Sequence, residues 1–149
     1  MKEITEIGKI DHIGIAVTDL TKSIDYYRNL LNFNLINEKS IIEHDIKIAF
    51  LKKFETSIEL LQPITFKSFQ TGLLKEFTVN NFILKNKQDG IHHFCIQTQD
   101  IEKTAQKLVE KGIEKISNDE DWRGSDGSPI CFFNTQNTFG FLLEIKQLI

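Results

Sequence analysis

Ile10-Asp11-His12-Ile13-Gly14-Ile15-Ala16-Val17-Thr18-Asp19-Leu20 decides the fold, because the chain repeats it as Ile91-His92-His93-Phe94-Cys95-Ile96-Gln97-Thr98-Gln99-Asp100-Ile101. Without a gap, Ile10 meets Ile91, His12 meets His93, Ile15 meets Ile96 and Asp19 meets Asp100, an offset of 81. That spacing is far too long for a solenoid repeat and marks two duplicated half-domains.

Each half has the same local grammar. Ile10 to Val17 is rich in β-branched residues and reads as a strand. Asp19 is placed to cap a helix, its carboxylate accepting from the free N–H groups of the first turn. Leu20, Ile24, Tyr27 and Leu31 then recur at helical spacing. In the second half Phe94 to Thr98 is the strand, Asp100 the cap, Ile101, Ala105, Leu108 and Val109 the helical stripe, and Gly112 the stop. Three extended segments follow each helix: Asn34 to Ile42, Ile46 to Lys52 and Ser57 to Gln62 in the first half, with Pro63 as a stop; Ile113 to Ser117, Pro129 to Asn134 and Phe139 to Lys146 in the second. The expectation is an α+β fold of two tandem βαβββ modules. Residues 1–149 then form one domain, with modules at about 8–63 and 90–147 and a linker at 64–89. The linker carries two short helical stretches, Phe69 to Phe77 and Asn80 to Lys87, and the Asp89-Gly90 turn signal. Asn118 to Ser128 reads as a polar loop carrying Trp122.

Size and composition narrow the function. A chain of 149 residues with 40% hydrophobic and 26% charged residues is an ordinary globular domain. Eighteen Lys and Arg against 21 Asp and Glu leave a net charge of −3, which gives no electrostatic reason to expect nucleic acid or an anionic membrane surface as partner. No apolar run approaches the roughly 18 residues of a spanning helix, and Met1-Lys2-Glu3-Ile4-Thr5-Glu6 has no apolar core of a signal peptide. Cys95 and Cys131 lack metal-type spacing and read as reduced, buried thiols of a cytoplasmic protein. Twelve of the 15 aromatic residues are Phe, which points to a well-filled core or an apolar pocket.

Four residues stand out for chemistry. Side chains alternate along a strand, so His12 shares a face with Gly14 and Ala16, and His93 shares one with Cys95 and Gln97. Each module's last strand carries a carboxylate inside an apolar run: Glu59 in Ser57-Ile58-Glu59-Leu60-Leu61, and Glu144 in Phe141-Leu142-Leu143-Glu144-Ile145. A buried charge there needs a partner or a metal. Two imidazoles and two carboxylates suit a divalent first-row ion such as Co, Ni, Zn or Mn. His92 points to the opposite face from His93, and His44 lies in a turn; both read as structural.

These residues, with Tyr26-Tyr27-Arg28-Asn29-Leu30-Leu31, Ile46-Lys47-Ile48-Ala49-Phe50-Leu51, Ile58-Glu59-Leu60-Leu61-Gln62-Pro63, Gly90-Ile91-His92-His93 and Leu142-Leu143-Glu144-Ile145, carry a resemblance. The chain resembles the vicinal oxygen chelate superfamily, most closely the methylmalonyl-CoA epimerases and their glyoxalase I-like relatives. The resemblance implies paired modules whose mixed sheets curl around a central metal held by His12, Glu59, His93 and Glu144. It implies a metal-dependent epimerase or isomerase that moves the proton alpha to a carbonyl, with Glu144 as base and Glu59 as the opposing acid or base. The substrate would be a small molecule, an acyl-CoA or thiol adduct, and a homodimer is expected because superfamily members are often dimers. A glyoxalase I-like carbon–sulfur lyase acting on a 2-oxoaldehyde–thiol adduct, with the same two-His, two-Glu set, is the alternative enzyme. A drug-binding resistance protein is the alternative without chemistry. The chain departs from the epimerase pattern at Ile48, where some members carry a second acid, and at Asn134-Thr135-Gln136, where many have His-Pro-Lys. A longer Thr65 to Phe77 segment and Trp122 are further departures.

Overall fold

The structure is a computed structural model and describes residues 2–68, 77–116 and 123–149. The expected helix from Phe69 therefore lies outside the described residues up to Glu76, as does Trp122 with the first part of its loop. The elements run β1 (Ile7–Ala16), α1 (Leu20–Asp25), β2 (Asn34–Ile41), β3 (Ile46–Lys53), β4 (Thr56–Pro63), α2 (Val79–Asn86), β5 (Gly90–Thr98), α3 (Ile101–Glu110), β6 (Glu114–Lys115), β7 (Ile130–Asn134), α4 (Gln136–Phe139) and β8 (Leu142–Gln147). The α+β, strand–helix–three-strand reading holds in both halves. No helix among the described residues is long and apolar enough to cross a membrane.

The chain forms two compact units, His12–His92 and Met1–Asp11 with His93–Ile149. In the first, the strand order is β2-β3-β4-β1, with β1 parallel to β4 and the other pairs antiparallel. In the second it is β5-β8-β7-β6, with β5 parallel to β8 and the others antiparallel. Each parallel pair requires a crossover, and the helix supplies it.

The crossovers are pinned identically. Asp19 and Asp100 adopt the same extended backbone (φ −140° and −144°, ψ 97° in both), and each accepts from the N–H three residues on, Lys22 and Lys103, at 3.0 Å. The first helical N–H goes to the last strand of the same module. Leu20 N–H donates to Gln62 Oε1 at 2.7 Å and Ile101 N–H to Gln147 Oε1 at 2.8 Å. Each glutamine thus ties the end of the glutamate-bearing strand to the start of its helix and satisfies an N–H that the helix leaves open.

Beneath α1, Val17, Leu20, Ile24, Ala49, Leu51, Ile58 and Leu60 form one core; beneath α3, Ala105, Leu108, Cys131, Phe133, Leu143 and Ile145 form its counterpart. Burying one such Leu or Ile contributes about 1.5–3 kcal/mol. The first unit has a further cluster on the other face of its sheet, where Val79 and Ile83 of α2 cover Ala16, Ile48 and Leu61. Asp45 fastens the start of α2, accepting from Asn80 Nδ2 at 2.8 Å and from Thr65 Oγ1 at 2.6 Å.

Four local readings need correction. The helix expected through Leu31 stops as an α-helix at Asp25 and continues as a π-helical turn, Tyr26–Leu30, in which Leu31 N–H reaches back to Tyr26 O. The wider turn sets Tyr27 edge-on to Phe33, with ring centroids 5.5 Å apart, and both pack on the core. The last strand starts at Leu142, not Phe139, because Gln136–Phe139 is a helical turn ended by Gly140 at φ +83°. The strand expected from Ile113 shrinks to Glu114–Lys115. Finally, β1 begins at Ile7, and the residues before His12 pack with the second unit. Thr98 Oγ1 and Gln99 N–H both donate to Glu6 O, while the Glu6 carboxylate meets Lys103 at 2.7 Å and Lys107 at 2.8 Å.

The two ammonium groups, Lys103 first, hold the Glu6 carboxyl down to about 2, from an ordinary value near 4.5. A carboxyl whose folded value is depressed stabilises the fold above its unfolded value and loses that contribution as pH falls through the folded one. Glu6→Gln should therefore lower the melting temperature at pH 7. The gap between variant and parent should shrink below about pH 4.5 and close towards pH 2. Thermal melts of both proteins across pH 7 to 3 check this, and a gap that widens on acidification would contradict it.

Candidate metal and proton-transfer site

Strand register brings each histidine to its glutamate. In the first unit Gly14 lies opposite Glu59 on the parallel neighbour, and His12 is two residues earlier on the same face as Gly14. In the second, Cys95 lies opposite Glu144, with His93 two residues before it. The result is one geometry built twice: His12 Nε2 is 3.1 Å from Glu59 Oε2, and His93 Nε2 is 3.1 Å from Glu144 Oε2. His12 is 5% exposed, Glu59 7%, His93 2% and Glu144 4%. At that burial an ionised carboxylate has lost most of its hydration, and a partner of opposite charge or a cation has to compensate. Hard nitrogen and oxygen donors in this set fit a divalent first-row ion.

Each imidazole is also braced by an aromatic ring. Phe50 on β3 stands opposite Glu59, and Phe132 on β7 stands opposite Glu144. Their rings meet His12 and His93 edge-on, at centroid separations of 5.4 and 5.8 Å and interplanar angles of 86° and 89°. The duplicated unit is therefore a His–Glu–Phe triplet. The phenylalanines went unread in the sequence, although their signal was there: each sits on the strand before the glutamate's, at the register position facing it. Such rings exclude water and fix the imidazole plane.

The neighbouring residues divide cleanly into roles. His92 points away from His93: its Nε2 lies 2.5 Å from Phe77 O and its ring meets Phe82 of α2 edge-on at 5.7 Å. It is a buried structural histidine, holding the α2 segment. His44 ends a single helical turn, Ile42–His44. Cys131 is buried beneath α3, and burial pushes its thiol up to about 12, so it stays neutral and unreactive.

One charged cluster near Glu144 was not expected from the sequence. Lys146 lies two residues beyond Glu144 on β8, opposite Gln97 on β5 and Ile130 on β7. Its Nζ is 3.3 Å from Asp11 and 2.6 Å from Asp126, and Gln97 Nε2 donates to Asp11 Oδ1 at 2.7 Å. Burial works against the ammonium, but the two carboxylates, Asp126 first, outweigh it and raise its pKa above the usual lysine value.

Comparison with known proteins places this arrangement. The family profile for the Glyoxalase/Bleomycin resistance protein/Dioxygenase superfamily matches residues 11–132. The mitochondrial methylmalonyl-CoA epimerase of Mus musculus is 31% identical over 144 residues, covering 97% of this chain and 75% of that protein. The ethylmalonyl-CoA/methylmalonyl-CoA epimerase of Cereibacter sphaeroides is 31% identical over 142 residues, covering 95% of this chain and 99% of the relative. Among solved structures, a variant of the Streptomyces coelicolor methylmalonyl-CoA epimerase in complex with 2-nitronate-propionyl-CoA superposes with a TM-score of 0.76 at 26% identity, over 95% of this chain and 97% of that one. With the profile spanning both histidines and Glu59, and relatives aligned over nearly its whole length, this chain belongs to the glyoxalase/bleomycin resistance protein/dioxygenase superfamily.

Proposed function

We propose that the chain is a metal-dependent methylmalonyl-CoA epimerase, an isomerase, and that His12, Glu59, His93 and Glu144 together hold one divalent ion. The observation that carries the reading is the doubled, buried His–Glu pair at 3.1 Å, on a chain whose relatives at about 30% identity are methylmalonyl-CoA epimerases. A bound ion would supply Lewis acidity, lowering the cost of negative charge on the substrate's carbonyl oxygen.

The residues of the chain do the rest. Hydrogen alpha to a thioester is a weak acid, so removing it needs a positioned base. Glu144 takes that proton. Glu59, as the opposing acid, returns a proton to the carbon, so the configuration inverts with no net change in atoms or charge. His12 and His93, braced by Phe50 and Phe132, hold both carboxylates in place. The buried setting excludes the water that would otherwise compete as proton donor. Ile48, deep in the cluster under α2, cannot move a proton, which leaves Glu144 with fewer substitutes as the base. The reading includes a homodimer in the cytoplasm, which analytical ultracentrifugation and fractionation would test.

The direct test is solvent-deuterium exchange into methylmalonyl-CoA, with Co, Ni, Zn and Mn each supplied. Exchange with inversion is expected. Exchange only with a methylglyoxal–thiol adduct would move the assignment to the lyase, since Glu59 gives the two-His, two-Glu set shared with glyoxalase I-like relatives.

Two substitution experiments follow. His93→Ala should abolish metal retention after dialysis, whereas His92→Ala should keep the metal and lose about 1–3 kcal/mol of stability, because the Phe77 carbonyl is left without its partner. Metal analysis beside thermal melts separates the two, and equal metal loss from both would show the strand phase to be wrong. Glu144→Gln should lower kcat by roughly 10²–10⁴ with little change in substrate affinity, since Gln keeps an oxygen but cannot take up a proton as a base at neutral pH. Glu59→Gln should be milder. Turnover of Glu144→Gln within a few-fold of the parent would remove Glu144 as the base.

A further inference from the structure

One buried polar atom has no partner. Among the described residues, Asn80 Oδ1 is the buried side-chain oxygen or nitrogen that makes no hydrogen bond, and Asn80 is 1% exposed. The other end of the amide settles its orientation. Nδ2 donates to Asp45 Oδ2 at 2.8 Å, and turning the amide over would set its oxygen against a carboxylate. A carbonyl oxygen stripped of water and given no donor works against the state that buries it. Asn80 therefore fixes where α2 sits and at the same time weakens its hold there.

α2 lies on the face of β4 that carries Glu59. Leu61 is two residues beyond Glu59 and shares that face, and Ala16 and Ile48 stand opposite Leu61 on the neighbouring strands. Val79 and Ile83 of α2 cover these three residues. The helix has eight residues, too few to persist without that packing. Its two ends are held differently. At the start, Asn80 meets Asp45, and the Phe77 carbonyl meets His92. Asp45 is itself fixed to the strand ends: its backbone carbonyl accepts from Ile64 N–H at 2.8 Å and its carboxylate from Thr65 Oγ1 at 2.6 Å. At the far end the helix stops at Lys87, whose backbone is left-handed at φ +55°. Asp89 then accepts from Thr18 N–H at 2.8 Å and from Thr18 Oγ1 at 3.0 Å. That anchor lies beyond the helix and survives when the helix lifts.

From this we propose that α2 is a lid over the Glu59 face, pivoting at Lys87–Asp89 and latched at its start by Asn80 on Asp45. Lifting it brings water to Asn80 Oδ1 and bares Leu61 and Ile48 beside Glu59. Closing it over bound substrate expels that water again. An aliphatic side chain at position 80 would hold the lid down more firmly; the amide keeps it able to open. The inference goes beyond the epimerase reading and rests on it only for the ligand used in the last measurement.

Hydrogen exchange on the full chain, read by mass spectrometry, tests the lid. In the free parent, α2 amides should exchange roughly tenfold or more faster than those of α3, because a local opening exposes them without global unfolding. Asn80→Leu removes the orphan oxygen and keeps a branched side chain, and should slow α2 exchange roughly tenfold, the worth of one buried unsatisfied group. Asp45→Gly removes the latch, suits the left-handed backbone at that position (φ +55°), and should speed α2 exchange about fivefold. On the metal-loaded protein, saturating methylmalonyl-CoA should slow α2 exchange, and Asn80→Leu should lower kcat/KM with metal retention unchanged, since less of the protein is open. Exchange of α2 no faster than α3 in the parent, no slowing by Asn80→Leu, or no acceleration by Asp45→Gly would overturn the lid. An unchanged kcat/KM in Asn80→Leu would overturn its part in admitting substrate. If Asn80→Leu folds poorly, the parent and Asp45→Gly still decide. The exchange measurements on free protein need no substrate, so a parent that turns over no acyl thioester would overturn the epimerase reading and leave the lid to be judged on them.

Discussion

A carboxylate buried to below a tenth of its exposed area, 3.1 Å from an imidazole, is the constraint on which the rest of this structure depends. Removing one ion from water costs several kcal/mol even after the protein relaxes, and the sequence commits to that cost twice. Glu59 and Glu144 are tolerable only if their strands lie beside β1 and β5 in one register. A shift by one residue would turn each glutamate into the core under its helix and each leucine neighbour out of it. The register is held from both ends: the Asp19 and Asp100 caps start the crossover helices, and Gln62 and Gln147, three residues beyond the glutamates, bind those helices to the strands that carry them. The site is therefore a consequence of the crossover, and the crossover is fixed by four polar side chains outside the site.

Duplication explains why the same solution appears twice, and divergence explains what the copies are for. One copy closes its sheet face with α2 and an apolar cluster of Ile48, Leu61, Val79 and Ile83. The other leaves the corresponding positions to Gln97, Ile130 and Lys146, and brings Asp11 and Asp126 to them. Two residues beyond the glutamate, one copy therefore carries the apolar Leu61 and the other the charged Lys146.

Much of this was legible in the sequence, for a reason that a single strand would not have offered. A lone strand histidine or glutamate carries little information, but His12 and His93 recur at one offset, and Glu59 and Glu144 recur in one apolar context. The alternation rule then separated His93 from His92 correctly, and His92 proves to bond Phe77 and α2 instead. What stayed hidden depends on cross-strand partners. Phe50 and Phe132 are ordinary core residues until register sets them opposite the glutamates. The end of α1 departs from the periodicity of Leu20, Ile24 and Leu31 because the π-helical turn at Tyr26–Leu30 is decided by where Tyr27 and Phe33 pack. The attachment of residues before His12 to the second unit depends on Glu6 finding Lys103 and Lys107, a hundred positions away in the chain.

Lys146 marks the limit of pattern reading most sharply. In sequence it is the polar residue that ends an apolar strand, a place where lysine usually reaches into water. In the structure its stem runs along the face that carries Glu144, and its head is met by one inner and one outer carboxylate. The pairing has a physical logic that burial alone lacks. An ammonium left without counter-charge beside Glu144 would pull that carboxylate towards itself and away from His93. Asp11 and Asp126 balance that charge instead, and Glu144 stays on the His93 imidazole. The duplicated scaffold therefore keeps the two His–Glu pairs equivalent in geometry while placing a lysine and its carboxylates beside only one of them.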